Sequence, residues 1–245
     1  MFFLEERKFY LKVKSIIEVK IYQGNNLKVA DADVNIVIDV IRAFTVSAIA
    51  FERGVEHIIL VKSIEDAFRY KEQNNQFLIA GERQGLAIEG FDLDNSPHNF
   101  SKQNLRGRVL VQTTSNGTKA VLNSLNAKEV FVTGLATIET VISHLKSKKQ
   151  NLKVNIIASH PTGDEDLACA EYINSSLTGN PLSWEHIINR CYKCDAAVKF
   201  TDPQKPAFKI EDLAFCFKKL TYPFLMRVVK DFDVIKIVKE GFTHD

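Results

Sequence analysis

Short apolar runs separated by polar turns recur along the chain. Residues 34–41, Val-Asn-Ile-Val-Ile-Asp-Val-Ile, form the most continuous one. Its β-branched content, apolar at both parities, predicts a strand covered on both faces. Comparable runs occupy 57–61, 77–80, 109–111, 130–132 and 154–158. Residues 9–22 alternate apolar and charged positions, the pattern of a strand with one wet face. Helical stretches fall between the runs. One covers 44–53 and ends at Gly54, and another opens at Ser63 with Asp66 three residues on, a capping box. Others follow Thr118, span 136–146, and open at Gly163. Beyond Leu182 the pattern predicts two more helices, then a hairpin from 224–229 and 234–238. Strands alternating with helices predict an α/β fold with a mainly parallel sheet. Residues 81–108 carry little periodicity and many turn formers, the composition of an ordered binding loop.

Composition adds limits. The 245 residues are 45% hydrophobic and 25% charged, and no linker or repeat divides them, so the reading is a single domain over 1–245. Lys+Arg is 32 against Asp+Glu 30. A net charge of +2 leaves no footprint for nucleic acid or an anionic membrane. No apolar run is long enough to span a bilayer, and the first residues turn charged too soon for a signal peptide. The expected location is cytoplasmic. Four cysteines, two of them as Cys191-x-x-Cys194, read as ordinary thiols. The 17 phenylalanines could serve a homodimer interface, although a core uses them first.

Four chemically sharp features follow predicted strands: Asp39 with Arg42, Gly81-Glu82-Arg83, the 113–118 run Thr-Thr-Ser-Asn-Gly-Thr, and Asp164-Glu165-Asp166. In a mainly parallel sheet such positions converge on one edge. Carboxylates gathered there repel one another unless a cation sits between them, and oxygen ligands suit Mg²⁺. Asp39 and Arg42 could instead form a private ion pair. The 113–118 run could cradle an anion with backbone N–H groups, or simply cap a helix. Arg42 and Arg83 suit bidentate recognition of phosphate, sulfonate or carboxylate. His160 follows a strand end, but a lone histidine is more often structural. Together these groups are the equipment of phosphoryl transfer.

The motifs resemble those of the 2-phosphosulfolactate phosphatase family. The matching pieces are Val37-Ile38-Asp39-Val40-Ile41-Arg42-Ala43-x-Thr45, Gly81-Glu82-Arg83-x-Gly85, Gly90-Phe91-Asp92-x-x-Asn95-Ser96-Pro97, Thr113-Thr114-x-Asn116-Gly117-Thr118, and Glu165-Asp166 before Ala168-Cys169-Ala170. The resemblance implies a three-layer α/β/α fold with a mixed sheet. It also implies Mg²⁺-dependent hydrolysis of a small anionic phosphate ester, 2-phosphosulfolactate to sulfolactate and phosphate, a step toward coenzyme M in methanogens. On it, Asp39, Glu82 and Asp166 are the metal or catalytic carboxylates. Arg42, Asn95, Ser96, Thr113, Thr114, Asn116 and Thr118 hold the phosphate and sulfonate, with Arg83 and Gly117 beside them. Phe44, Asp94, Ser115, the 134–138 stretch and Ser159-His160 depart from the family pattern. These departures bear on the substrate more than on the reaction. The alternative is a diverged, non-catalytic binder of organic phosphates or sulfonates.

Overall fold

A computed structural model describes residues 16–148, 150–219 and 224–241. Its first strand, β1 (Ile17–Gln23), is the described part of the alternating segment; residues 9–15 lie outside the described residues. Then come β2 (Ala32–Ile38), α1 (Ala43–Glu52), β3 (His57–Leu60) and α2 (Ile64–Gln73). Gly54, at φ +98, ends the α1 region in a conformation glycine adopts freely. The Ser63–Asp66 capping box of α2 is formed in both directions. β4 (Leu78–Arg83) turns through Gln84 and Gly85, both at positive φ, into the two-residue β5 (Leu86–Ala87). Positive φ at both central residues matches the twist of a tight hairpin. The 81–108 loop is thus ordered, and it also contains α3 (Pro97–Ser101).

β6 (Val109–Thr113), α4 (Gly117–Leu122), β7 (Ala127–Thr133), α5 (Ile138–Ser147) and β8 (Leu152–Ala158) continue the alternation. A 3-10 turn over Leu135–Thr137 starts the α5 region, where a continuous helix was expected. α6 (Asp164–Thr178) follows. Among the described residues of the tail there are three helices rather than two: α7 (Trp184–Lys193), α8 (Asp195–Val198) and α9 (Glu211–Cys216). The predicted hairpin is β9 (Phe224–Asp231) against β10 (Val234–Gly241).

The ten strands among the described residues form one mixed sheet, ordered β1-β8-β2-β7-β9-β10-β3-β6-β4-β5. Pairing within β1-β8-β2-β7 and within β3-β6-β4 is parallel. The hairpin joins the two sets through antiparallel contacts to β7 and β3. Three successive reversals make the sets run opposite to each other, so a flat sheet would put their carboxyl ends on opposite edges.

The sheet is not flat, because it wraps around α1. Every α1 residue from Ala43 to Phe51 is buried, the signature of a core helix. Phe44 and Ile49 share one cluster with Val37 of β2, Val132 of β7, Met226 of β9, Ile237 of β10, Ile58 of β3 and Leu110 of β6. α3 and α4 join α1 on this inner face through Phe100 and Val121. The opposite parity, including Ile36, Phe131 and Ile156, packs outward against α5 to α8. On the second set, Ile59 and Val111 pack outward near Ala67 of α2. The result is a three-layer α/β/α fold. Both sets of carboxyl ends arrive at the start of α1 because of this curl, not because they share an edge.

Candidate active site

β2 delivers Asp39 to the entry of α1. Its N–H donates to the Thr133 carbonyl at 3.2 Å, and its carbonyl accepts from Phe44 N–H at 3.3 Å. Asp39 Oδ1 accepts from Ala43 N–H at 2.9 Å, and the Gly117 N–H also bonds the carboxylate. First-turn N–H groups lack partners within their own helix, so a carboxylate is favoured there. A Cβ on Gly117 would lie 2.7 Å from Asp39 Oδ2 and 3.0 Å from Ala43 Cβ, so this close approach requires glycine. Burial nevertheless pushes the Asp39 carboxyl up to about 8, assisted by the charges of Asp166 and Glu82 and opposed by the two N–H bonds. The Ile41–Arg42 peptide in this turn is cis.

Glu82, near the end of β4, is 6% exposed and held from two sides. Oε1 accepts from Ser115 N–H at 2.6 Å. Oε2 accepts from Gly85 N–H at 2.6 Å and the Ser115 hydroxyl at 3.1 Å. The β4–β5 turn and the loop after β6 are thereby fastened to one side chain.

Arg42 does not pair with Asp39. Its Nη1 donates to Asp212 Oδ2 of α9 at 2.9 Å, and its Nη2 to the Gly85 carbonyl at 2.6 Å. The guanidinium carbon lies 5.1 Å from the Phe200 ring centroid and 5.8 Å from that of Phe208, close enough for cation–π attraction. Asp212 is fully buried and also accepts from the Ser96 hydroxyl at 2.5 Å and His98 N–H at 3.2 Å.

Asp39, Arg42 and Glu82 line a pocket of about 160 Å³ with Gln84, Asn95, Asn116, His160, Lys199, Phe200 and Phe208. Asn95 is 3% exposed, and its Oδ1 has no hydrogen-bond partner among the described residues. Asn116 accepts from Asn25 Nδ2 at 2.6 Å. His160 Nδ1 accepts from Thr162 N–H at 3.2 Å, which leaves the neutral ring's proton on Nε2. Burial and the Lys199 charge push the His160 titration down.

The other expected site residues do not line this pocket. Asp166 is 1% exposed and does not line the pocket. Its Oδ1 accepts from Val40 N–H at 2.8 Å; its Oδ2 accepts from the Ser159 hydroxyl at 3.1 Å and His160 N–H at 3.0 Å. It braces the turn after β2 against the turn after β8, beside the pocket rather than in its lining. Thr114 and Thr118 cap each other, each N–H donating to the other's hydroxyl at 3.1 and 3.0 Å. Those hydroxyls form the cap at the start of α4. Thr113 accepts from Arg83 Nη2 at 2.9 Å. Arg83 also donates from Nη1 to the Glu82 carbonyl at 2.8 Å and lines a separate depression with Lys62 and Lys119. Ser96 caps α3 and holds Asp212.

Sequence reasoning missed Asp212, Lys199, Phe200 and Phe208. They come from a segment with no motif of its own, and an acid in a helix's first turn is unremarkable by pattern. His160 had the only usable signal, its position after a strand. The four cysteines are free and buried.

Among the described residues, no group of three or more His, Cys, Asp or Glu side chains is gathered as a metal set. Asp39 and Glu82, sharing one pocket and free of nearby thiol or clustered imidazole ligands, still fit the sparse carboxylate sites Mg²⁺ accepts. Asp166 stands apart from that pair, because it does not line the pocket and its oxygens serve the β2–β8 brace. No described helix is long and apolar enough to cross a membrane.

A family model described as 2-phosphosulpholactate phosphatase matches residues 21–231. A protein of Bacillus subtilis (strain 168) named "Probable 2-phosphosulfolactate phosphatase" is 44% identical over 218 residues, covering 88% of this chain and 96% of its own. A Clostridium novyi (strain NT) protein of the same name is 32% identical over 59% of this chain and 63% of its own. A Clostridium acetobutylicum protein, also so named, is 33% identical over 75% of this chain and 84% of its own.

Proposed function

Because the chain belongs to the 2-phosphosulpholactate phosphatase family, we propose that it hydrolyses the phosphate ester of a small sulfonated hydroxy acid, 2-phosphosulfolactate, releasing sulfolactate and phosphate with Mg²⁺ as cofactor. The single observation that carries this reading is the shared pocket, where Asp39 and Glu82 meet Arg42, Asn95 and Asn116. Asp39 and Glu82 would hold Mg²⁺, which when bound supplies positive charge against the phosphate oxygens.

The chain's own residues have separable tasks. The Ala43 and Gly117 N–H bonds orient Asp39, while Ser115 and Gly85 orient Glu82. Arg42, aimed by Asp212 and stacked by two phenylalanines, has guanidinium donors beyond the two already engaged and offers them to the phosphate. Asn95 Oδ1 is an unused acceptor at the pocket wall and suits the proton of an attacking water. In the overall step a water oxygen bonds to phosphorus, the ester P–O bond breaks, and the leaving alkoxide takes a proton. The nucleophile is that water or Asp39 itself.

The test is phosphate release from 2-phosphosulfolactate and from generic monoesters, with and without Mg²⁺. We expect turnover of the sulfonated ester that collapses on chelation. A folded protein that turns over none of them, yet gains thermal stability from sulfolactate, would instead be a non-catalytic binder.

A further inference from the structure

The charges around the pocket do not balance for a substrate with more than one acidic group. Two carboxylates line it, and the Arg42 cation is already met by buried Asp212 at 2.9 Å. Lys199 is the other cation in the lining, and no carboxylate pairs with it among the described residues. It reaches the wall by a firm route. Lys199 caps the carboxyl end of α8, and the next residue, Phe200, is 5% exposed. The Phe200 ring packs edge-on to Phe208 at 5.3 Å between centroids and lies against Arg42. The backbone at 199 is therefore anchored while the ammonium stays free to meet a ligand. Its field is felt at His160, on the same wall, whose Nε2 carries the neutral ring's proton.

From this we infer that Lys199, with His160 beside it, forms the subsite for the substrate's second anionic group, a sulfonate or carboxylate, and so sets specificity. The inference rests on the phosphatase reading for its ligand class. It adds a division of labour: Asp39, Glu82 and Arg42 attend to the phosphate, whereas Lys199 attends to the far end. An ammonium is a compact point charge on a flexible stem, suited to an anion of variable position.

Calorimetric titration of the full chain with sulfolactate, and separately with inorganic phosphate, both in Mg²⁺, tests it on wild type, Lys199→Met and Lys199→Arg. We expect Lys199→Met to weaken sulfolactate by about 10- to 100-fold, the worth of one charge-assisted hydrogen bond. Phosphate affinity should stay within about twofold, and Lys199→Arg should recover most of the loss. Unchanged sulfolactate affinity, equal weakening of both ligands, or a wild type that binds no sulfolactate would each overturn the subsite. Absence of turnover with the selective binding loss intact would fell the phosphatase reading alone. Both substitutions sit at an exposed position, so circular dichroism should show an unchanged fold.

Discussion

Asp39 and Asp166 look alike by burial and charge. Asp39 directly follows β2 and Asp166 lies in the first turn of α6, yet both are buried, and burial pushes both carboxyls up to about 8. They differ in what completes them. Asp166 is met on both oxygens by three donors that tie the β2 turn to the β8 turn. Asp39 is met by the start of α1 and by Gly117, and still faces the pocket. A perturbed acid is therefore a poor guide to function unless its remaining lone pairs and its access to a cavity are counted. Arg42 and Arg83 repeat the lesson: one lines the pocket from a buried ion pair, the other braces β4 and β6 outside it.

The sharpest way to break the contrast is substitution at the two acids. Asp39→Asn should cut kcat by about 10³-fold or more while the protein stays folded, as expected for loss of a charged group at the reacting centre. Steady-state phosphate release reads this, and a loss below tenfold would place Asp39 with the braces. Asp166→Ala should instead cost about 3 kcal/mol in urea denaturation, because buried donors lose their acceptor. If its main effect falls on turnover with stability unchanged, the assignment of Asp166 as a brace is wrong.

The pH dependence sharpens the comparison further. Each acid has a folded value near 8 against an ordinary 3.8. Between those values the folded protein retains protons the unfolded chain has lost, so stability falls as pH rises. Without metal, Tm should therefore decline from about pH 4 to 8 and level off above. Asp39→Asn should make that decline shallower, and Mg²⁺ should raise Tm at pH 8 in wild type but far less in the variant. A flat Tm profile across this range in the metal-free protein would contradict the burial argument. The smallest effect is expected at Arg83→Ala, with kcat/KM within about threefold of wild type and a stability cost near 1 kcal/mol for its lost bond to Thr113. A hundredfold fall in kcat/KM would return Arg83 to the phosphate site.

Much of this was legible beforehand. Apolar parity located β2, β3, β6, β7 and β8, and Ser63 with Asp66 announced α2. Asp39, Glu82, Asn95 and Asn116 were all singled out and all reach the pocket. These readings share a cause: a strand's periodicity, a cap or a strand-end carboxylate is written within a few residues of itself.

Tertiary structure decided the rest. Nothing near Arg42 indicates a partner 170 positions away in Asp212, or a wall built by Lys199, Phe200 and Phe208. Nor does the 224–241 hairpin pattern say that it will enter mid-sheet and reverse the polarity of one set of strands. The acids at 39, 82 and 166 were equal on paper. The curl of the sheet around α1 brought two of them to one cavity, while the third braces two turns outside its lining. Local pattern determines which groups are buried. Only long-range packing decides which buried group still has a face left for a ligand.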